Sequence, residues 1–259
     1  MINIVKIGGS CLTHGLHGVV EAVTRVMNEG PVVMVHGYGN ELRSLLKKYN
    51  ISREKFVSLS GIESHFTNEL CASASVFASN LCRELIVEQF VARGHEVYAK
   101  AAFCQNFAKG KRKRKLRYLD KDGTMRSRTD DFSGTVETLD LSCLPIDEEQ
   151  LILLSPIMAD ENMNLLVVDA DKLAIEIALA FKSTNLILLS DVPGLRVDGQ
   201  YVDKVNFENL SDLIQNTGGG MQRKLRHIQH ALQKGVSTIS ILDATNKNSS
   251  KNQGTTFYA

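Results

Sequence analysis

Seven short, β-rich apolar runs constrain this chain more than any other feature: "INIVKI", "PVVMVHG", "HEVYAKAAF", "LILLSPIM", "NLLVVDA", "NLILLSDV" and "STISIL". Between several of them lie amphipathic stretches at helical spacing, at 15–29, 39–49, 67–93, 171–182 and 221–234. A strand that is apolar on both faces must be covered on both, so such strands interleaved with helices predict a mainly parallel sheet between two helical layers. The fold class is α/β, a three-layer αβα sandwich. No repeat, low-complexity tract or long linker interrupts it, and residues 1–259 read as one domain. The marked shift in composition is "KGKRKRKLRYLDKDGTMRSRTDDFSG" at 109–134, where two strands around the turn "DKDG" at 120–123 predict an inserted basic β-hairpin.

Charge and cysteine usage narrow the function classes. Lys and Arg (30) balance Asp and Glu (29) to a net charge of +1, so no global field draws the molecule to nucleic acid or a membrane surface. Such a partner would have to meet a local patch. The cysteines, Cys11, Cys71, Cys82, Cys104 and Cys143, are odd in number and scattered, with no CxxC and no metal-ligand spacing, which fits a reducing cytoplasm. The N-terminus opens on a strand-like run without the basic and long apolar regions of a secretory signal. No apolar run approaches the about 18–20 residues a membrane helix needs. The expectation is a cytoplasmic protein without membrane association or a protein-held metal.

The run "MINIVKIGGSCL" places Lys6 inside an apolar strand and ends that strand in Gly8 and Gly9. A strand interior is an unfavourable place for a surface charge, and paired glycines let the backbone approach something closely. Two further glycine turns are "VHGYGNE", with His36, Gly37, Tyr38 and Gly39, and "NTGGGMQRKL", with Gly218, Gly219 and Gly220 ahead of Arg223 and Lys224. At the C-terminal ends of strands in an α/β sheet, such turns offer backbone N–H groups to phosphate. Each is also readable as a plain turn; three in one chain, two with a lysine nearby, favour phosphate. Neither GxxxxGK[ST] nor a GxGxxG after the first strand is present. That leaves a site built from separate turns and lysines, which suits phosphoryl transfer, where positioning and charge neutralisation do most of the catalysis.

Taken in order, "KIGGS", "VHGYGNE", "VDADKLA", "LLSDVPGL" and "GGGMQRKL" resemble the amino acid kinase family over essentially the whole chain, most closely its acetylglutamate kinase branch. "SGIESHFTNE" and "RYLDKDGTMRSRTDDFSGTVETLD" look like the kinases of that branch whose glutamate or aminoadipate is carried on a small acidic amino-group carrier protein in lysine and arginine biosynthesis. The resemblance implies an acceptor lobe near 1–150, a nucleotide-binding lobe near 151–259, ATP with Mg2+ as donor, and an acyl phosphate as product. It implies that Lys6 and Lys224 hold the β and γ phosphates, that the amides of Gly8, Gly9 and Gly37 meet the transferring oxygens, and that Asp171 sits between the two lysines. It further implies a nucleotide lining of Ser10, Ser190, Asp191, Gly194, Gly220 and Met221, and acceptor contacts at Gly37, Tyr38, Gly39, His65, Val167 and Asp169. Two plainer readings stay open: Lys224 on a polar helix face, and Asp171 as a helix N-cap.

The acceptor side departs from the family's pattern. Tyr38 stands where relatives carry a glycine of "HGGG", His65 where the subgroup has an arginine ahead of an aromatic residue and threonine, and Val167 where relatives have asparagine. A mostly neutral histidine is a weaker carboxylate partner than an arginine fork, and valine makes no hydrogen bond. Losing two such contacts would weaken the usual acceptor by about 2–5 kcal/mol. The expectation is a kinase with a changed acceptor. Free N-acetylglutamate is the alternative substrate, and a noncatalytic binding relative is the competing class.

Lys109, Lys111, Arg112, Lys113, Arg114, Lys115 and Arg117 put seven positive charges into nine residues. Such a run is a solvated loop, a nucleic-acid or anionic patch, or, as the resemblance implies, a docking site for a small acidic carrier. Without an interleaved aromatic platform, nucleic acid is not expected. The stretch 67–93, with small residues on one side, reads as a core helix or, from the resemblance, as a homodimer interface.

Overall fold

The computed structural model describes residues 2–12, 16–59, 61, 63–113, 115–120, 122–146, 150–183, 185–244 and 254–259. The chain runs β1 (Asn3–Ile7), α1 (His17–Met27), β2 (Val32–His36), α2 (Gly39–Lys48), β3 (Lys55–Ser58), β4 (Glu63–His65) and α3 (Glu69–Val91). It continues through β5 (Val97–Ala101), β6 (Ala108–Arg112), β7 (Leu116–Leu119), β8 (Met125–Arg128), β9 (Gly134–Leu139), β10 (Leu151–Ser155), β11 (Ile157–Ala159) and β12 (Leu165–Val167). The last part holds α4 (Ala170–Ala180), β13 (Asn185–Ser190), β14 (Arg196–Val197), β15 (Gln200–Tyr201), β16 (Lys204–Asn206), α5 (Leu210–Asn216), α6 (Gly219–Gln233), β17 (Thr238–Asp243) and β18 (Gly254–Tyr258).

The central sheet has the order β16-β18-β17-β13-β1-β2-β10-β5. From β17 to β5 every pairing is parallel; β18 runs antiparallel to β17 and carries β16 parallel to itself. Alternation along each strand splits the core into two layers. Ile4, Val33, Val35, Leu186, Leu188 and Ile241 pack beneath α4, α5 and α6. Val5, Ile7, Met34, Leu153, Ile187 and Leu189 pack beneath α1 and α3. This is the expected αβα sandwich with a mainly parallel sheet.

Two of the apolar runs do something other than extend that sheet. "LILLSPIM" is cut by Pro156, which has no N–H to continue a ladder; its first half is β10 and its second half, β11, enters a separate sheet of order β12-β11-β6-β9. "NLLVVDA" supplies only β12, antiparallel to β11 in that same small sheet. The hairpin is present: β7 and β8 pair antiparallel from Leu116↔Arg128 to Leu119↔Met125, with Gly123 N donating to Asp120 O across the turn. The basic run, however, is not one hairpin. Lys109, Lys111 and Arg112 lie on β6, paired with β9, whereas Arg117 lies on β7, in a third sheet of order β4-β3-β7-β8. Seven charges on neighbouring residues repel, and dividing them between two sheets separates them. Arg114 lies outside the described residues.

Helix α3 corrects the reading of apolar runs. It spans 23 residues with a mean hydropathy of 1.3 over its apolar window, long and apolar enough to cross a bilayer by length and composition. Asn68 caps it by accepting from Cys71 N. Its small face, including Cys71, Ala72, Ser75, Ala78, Ser79 and Cys82, is buried and packs toward β5, β10 and α2, as in a core helix. The opposite face leaves Leu70, Phe77, Leu81 and Leu85 exposed.

Candidate active site

The C-terminal ends of β1, β2 and β13 lie side by side, and the chain leaves β1 and β13 toward opposite sides of the sheet, which opens a crevice at their ends. The glycine turns after β1 and β2 interlock there. A Cβ on Gly9 would lie 2.7 Å from Gly39 N, and one on Gly37 would lie 2.9 Å from Gly9 N, so neither position admits a side chain without parting the turns. Two of the three expected amides are already used. Gly8 N donates to Leu189 O at 3.1 Å and Gly37 N to Ile7 O at 2.8 Å, both continuing the parallel ladder past the strand ends. The Gly9 amide has no acceptor among the described residues. Ser10 follows it in the same turn, closed by Cys11 N donating to Gly8 O.

Lys6 shares a strand face with Ile4 and so points toward α4 and α6. Its Nζ lies 2.7 Å from Asp171 Oδ1, with only 12% and 16% of the two side chains exposed. Asp171 sits in the first turn of α4, while the cap is Asp169, whose Oδ1 accepts from Asp171 N at 2.9 Å and Lys172 N at 3.4 Å. The capping role considered for Asp171 therefore belongs to Asp169, through its Oδ1. On α6, Lys224 Nζ donates to Ser190 Oγ at 2.9 Å. Asp171 thus contacts Lys6 directly, and Ser190 holds the second lysine, whose charge still acts on Asp171. One turn along from Lys224, His227 Nδ1 stands 3.7 Å from Asp171 Oδ2. Nothing in the sequence singled out His227, since a histidine among polar helix residues reads as surface.

Burial works against each of these charges, and the pairing decides the outcome. Burial raises the Asp171 carboxyl, but Lys6, His227 and Lys224 together hold it well below the usual carboxylate range. Burial lowers Lys6, and Asp171 more than offsets this, leaving it raised. Lys224 is lowered, by burial and then by repulsion from Lys6. The result is two ammonium groups, Lys6 held by Asp171 and Lys224 by Ser190, with the Asp169 and Asp191 carboxylates also acting on them, near a Gly9 amide that has no acceptor among the described residues, a donor set that suits a phosphoryl group. Asp169, Asp171 and His227 place ligand atoms within 4.8 Å of one another, but the ammonium of Lys6 already neutralises Asp171.

The other expected nucleotide residues divide. Ser190 is buried at the end of β13 and Asp191 is exposed beside it. Gly194 (φ +149°) is also required by packing: a Cβ there would meet Thr255 Oγ1 at 2.5 Å, and Leu195 N donates to that hydroxyl at 2.8 Å. Met221 packs on the core beneath α5 and α6.

Next to the glycine turns lies a cavity of about 630 Å³, lined by Gly39, Arg43, Arg53, His65, Gly220 and Arg223 among others. His65 reaches it from β4, as expected, and Gly220 joins this lining. Tyr38 and Val167 do not line it. The Tyr38 ring is buried with Leu42, Leu45, Leu46 and Cys71, which pushes its hydroxyl up to about 12, and Val167 packs against that cluster. Both side chains join an apolar layer beside the cavity. Arg43 and Arg53 were not legible as site residues, since each stands in a polar segment that reads as solvated, and Arg223 was noted only beside the third glycine turn. His36 was named only as part of a glycine turn. It is fully buried, donor or acceptor to Ser155 Oγ at 2.8 Å, and burial lowers it to about 4, so it is a neutral tie between the ends of β2 and β10.

Part of the basic run is structural. Lys111 lies 3.3 Å from Glu137, and Arg112 donates to Asp131 O at 3.0 Å and Thr129 O at 3.3 Å while stacking over Phe132. Lys109, Lys113, Lys115 and Arg117 are exposed.

A family model described as "Amino acid kinase family" matches residues 1–243. A LysW-aminoadipate/LysW-glutamate kinase of Sulfolobus acidocaldarius is 29% identical over 242 residues, covering 92% of this chain and 91% of its own length. Among solved structures, smu.665 of Streptococcus mutans superposes with a TM-score of 0.79 at 21% identity over 100% of this chain and 98% of that one. Carbamate kinase of Giardia lamblia bound to AMP-PNP does so with a TM-score of 0.59 at 14% identity over 99% and 98%. At these identities the two structures speak for the fold alone. With fold and family model in agreement over residues 1–243, this chain belongs to the amino acid kinase family and is a phosphotransferase.

Proposed function

We propose that this chain transfers the terminal phosphoryl group of ATP to the side-chain carboxylate of a glutamate- or aminoadipate-like amino acid carried on a small acidic amino-group carrier protein. The observation that carries the transfer chemistry is the Lys6–Asp171 pair at 2.7 Å with Lys224 anchored on Ser190, all beside the Gly9 amide. The residues fit nucleotide phosphates: two ammonium groups and an unused N–H face a turn too tight for a Cβ. ATP supplies the activated phosphoryl group. Lys6 and Lys224 neutralise the charge that builds on its oxygens, Gly9 N–H donates to one of them, and Asp171 keeps Lys6 charged and aimed. Asp171 is already neutralised by Lys6, so magnesium would enter with the nucleotide and not on a carboxylate cage.

The acceptor reading is supported by the relatives' names and by the exposed charges at Lys109, Lys113, Lys115 and Arg117, which suit an acidic partner. The first half of the chain would hold the acceptor and the second half the nucleotide, in the cytoplasm. The exposed stripe Leu70, Phe77, Leu81 and Leu85 on α3 supports a homodimer, which sedimentation at micromolar protein would return as twice the chain mass. The test of function is hydroxamate capture of the acyl phosphate with carrier-linked glutamate, carrier-linked aminoadipate and free N-acetylglutamate. Turnover with a carrier-linked acceptor is expected. Turnover with the free derivative alone would replace the carrier by a small molecule, and ATP binding without any turnover would leave a noncatalytic relative.

A further inference from the structure

Helix α6 turns two polar side chains toward the crevice. Lys224 is held by Ser190, and His227 follows three residues later on the same face of the helix, where α6 packs against α4. Only 15% of the His227 side chain is exposed, and its Nδ1 lies out of solvent with no hydrogen-bond partner among the described residues. A buried ring nitrogen without a partner costs stability, so its retention calls for a physical reason. The acceptor facing it is Asp171 Oδ2, 3.7 Å away. The other oxygen of that carboxylate, Oδ1, stands 2.7 Å from Lys6 Nζ. Asp169 also comes within 4.8 Å of these groups, but its Oδ1 is spent on the amides of Asp171 and Lys172 as the cap of α4. Lys6 from β1 and His227 from α6 thus approach Asp171 on different oxygens, and both hold its carboxylate ionised, Lys6 more strongly.

The last torsion of an aspartate is broad, so a carboxylate held on one oxygen alone still turns about its Cβ–Cγ bond. A donor on the second oxygen removes that freedom. The gap of 3.7 Å exceeds a hydrogen bond, and a movement of about 0.5–1 Å closes it to hydrogen-bond range. Contacts of this kind are often long in the free enzyme and tighten once substrate is bound. We infer that His227 is a positioning residue for the transfer: in the nucleotide complex it donates Nδ1–H to Asp171 Oδ2, locks the carboxylate with Oδ1 on Lys6, and so aims the Lys6 ammonium at the phosphoryl group. The inference rests on the assignment of Lys6 to phosphoryl transfer and extends the machinery to a side chain that touches neither substrate.

The test is steady-state kinetics by hydroxamate capture, with acceptor saturating and ATP varied, on two variants that separate the contact from its bulk. His227→Leu fills the space without a donor and should lower kcat by about 10- to 100-fold, the range for a lost hydrogen bond to a charged group, with KM for ATP unchanged. His227→Asn sets an amide nitrogen where Nδ1 stood and should recover most of the loss. Affinity for a non-hydrolysable ATP analogue, expected to be unchanged in both variants, reports that they fold. In wild type labelled with 15N-histidine and holding that analogue, the His227 resonance, assigned by its absence from His227→Asn, should show a protonated Nδ1. A bare Nδ1, wild-type kcat in His227→Leu, or His227→Asn no better than His227→Leu overturns the inference and leaves the kinase reading standing. Wild type that turns over none of carrier-linked glutamate, carrier-linked aminoadipate and free N-acetylglutamate overturns that reading, and the role in transfer with it.

Discussion

The crevice proposed for the donor and the cavity proposed for the acceptor meet at one glycine turn and are built on different principles. In the crevice the charged groups are held against one another: Lys6 stands 2.7 Å from Asp171, His227 stands 3.7 Å from the same carboxylate, and Lys224 donates to Ser190. These groups stand on strand ends and helix starts whose inner residues are fully buried. In the cavity the charges come from separate elements, Arg43 from α2, Arg53 from the segment before β3, His65 from β4 and Arg223 from α6, and Arg53 Nε has no hydrogen-bond partner. A phosphoryl group is the same in every turnover, so its receptor can be pre-paired and rigid. A receptor that must distinguish acceptors gains discrimination by leaving a group unsatisfied until the right ligand arrives.

The comparison breaks most visibly at Asp171. Asp171→Ala leaves Lys6 as a buried, unpaired cation, a change that costs about 3–5 kcal/mol in buried pairs, and turnover should fall with it. The pH dependence has a fixed sign. Asp171 has a folded pKa well below its ordinary value, so its contribution is complete above about pH 4, the unfolded carboxylate range, and is lost as pH falls toward the folded value. Thermal melts of wild type and variant should therefore differ by a constant amount from about pH 5 to 8 and converge only in strong acid. A difference that closes near neutrality would show that the pair does not hold the crevice. Lys224→Ala removes a charge without orphaning a partner, and should lower kcat by about 100-fold with little change in stability, as loss of one charge-stabilising donor does.

A comparable effect is expected at the turn shared by both regions. Gly9→Ala places a methyl 2.7 Å from Gly39 N, against backbone that cannot swing aside as a side chain would. The turns must part by some tenths of an ångström, which misplaces donor and acceptor together, and kcat/KM should fall by about 100-fold for both. Steady-state titration of each substrate checks this. A loss confined to ATP would mean that the turn serves the donor alone.

This division explains what the sequence disclosed. Lys6 was legible because a lysine in an apolar strand contradicts its surroundings, and Gly8 and Gly9 because a strand does not end that way without cause. The sandwich was legible because its strands are apolar on both faces. The acceptor cavity was not. β3, β4 and β6 are short and mix polar and basic residues, and Arg53 looks like any charge in a loop until a cavity forms around it. The departures at Tyr38 and Val167 were visible as departures, yet their meaning was not: both side chains enlarge an apolar cluster, a packing change that no local pattern announces. The amides of Gly8 and Gly37 were overcounted because a turn's sequence does not say whether the ladder continues one residue past the strand.

The smallest effect concerns the rim beyond the cavity, where Arg112 is tied into the fold, Lys111 forms a solvent-exposed ion pair with Glu137, and Lys113, Lys115 and Arg117 are exposed. Reversing the latter three, Lys113→Glu with Lys115→Glu and Arg117→Glu, alters charge without touching a buried contact. If an acidic carrier docks there, kcat/KM with a carrier-linked acceptor should drop by about 10-fold at low ionic strength, through slower association, with kcat retained. The gap should close as salt shortens the Debye length to about 3 Å near 1 M. Exposed charges act at long range and are screened, whereas Lys6 and Asp171 stand 2.7 Å apart and mostly buried and should keep their effect at any salt. A salt-independent loss in the triple variant would assign those three residues to the same class as the crevice pair and move the boundary between rim and receptor outward.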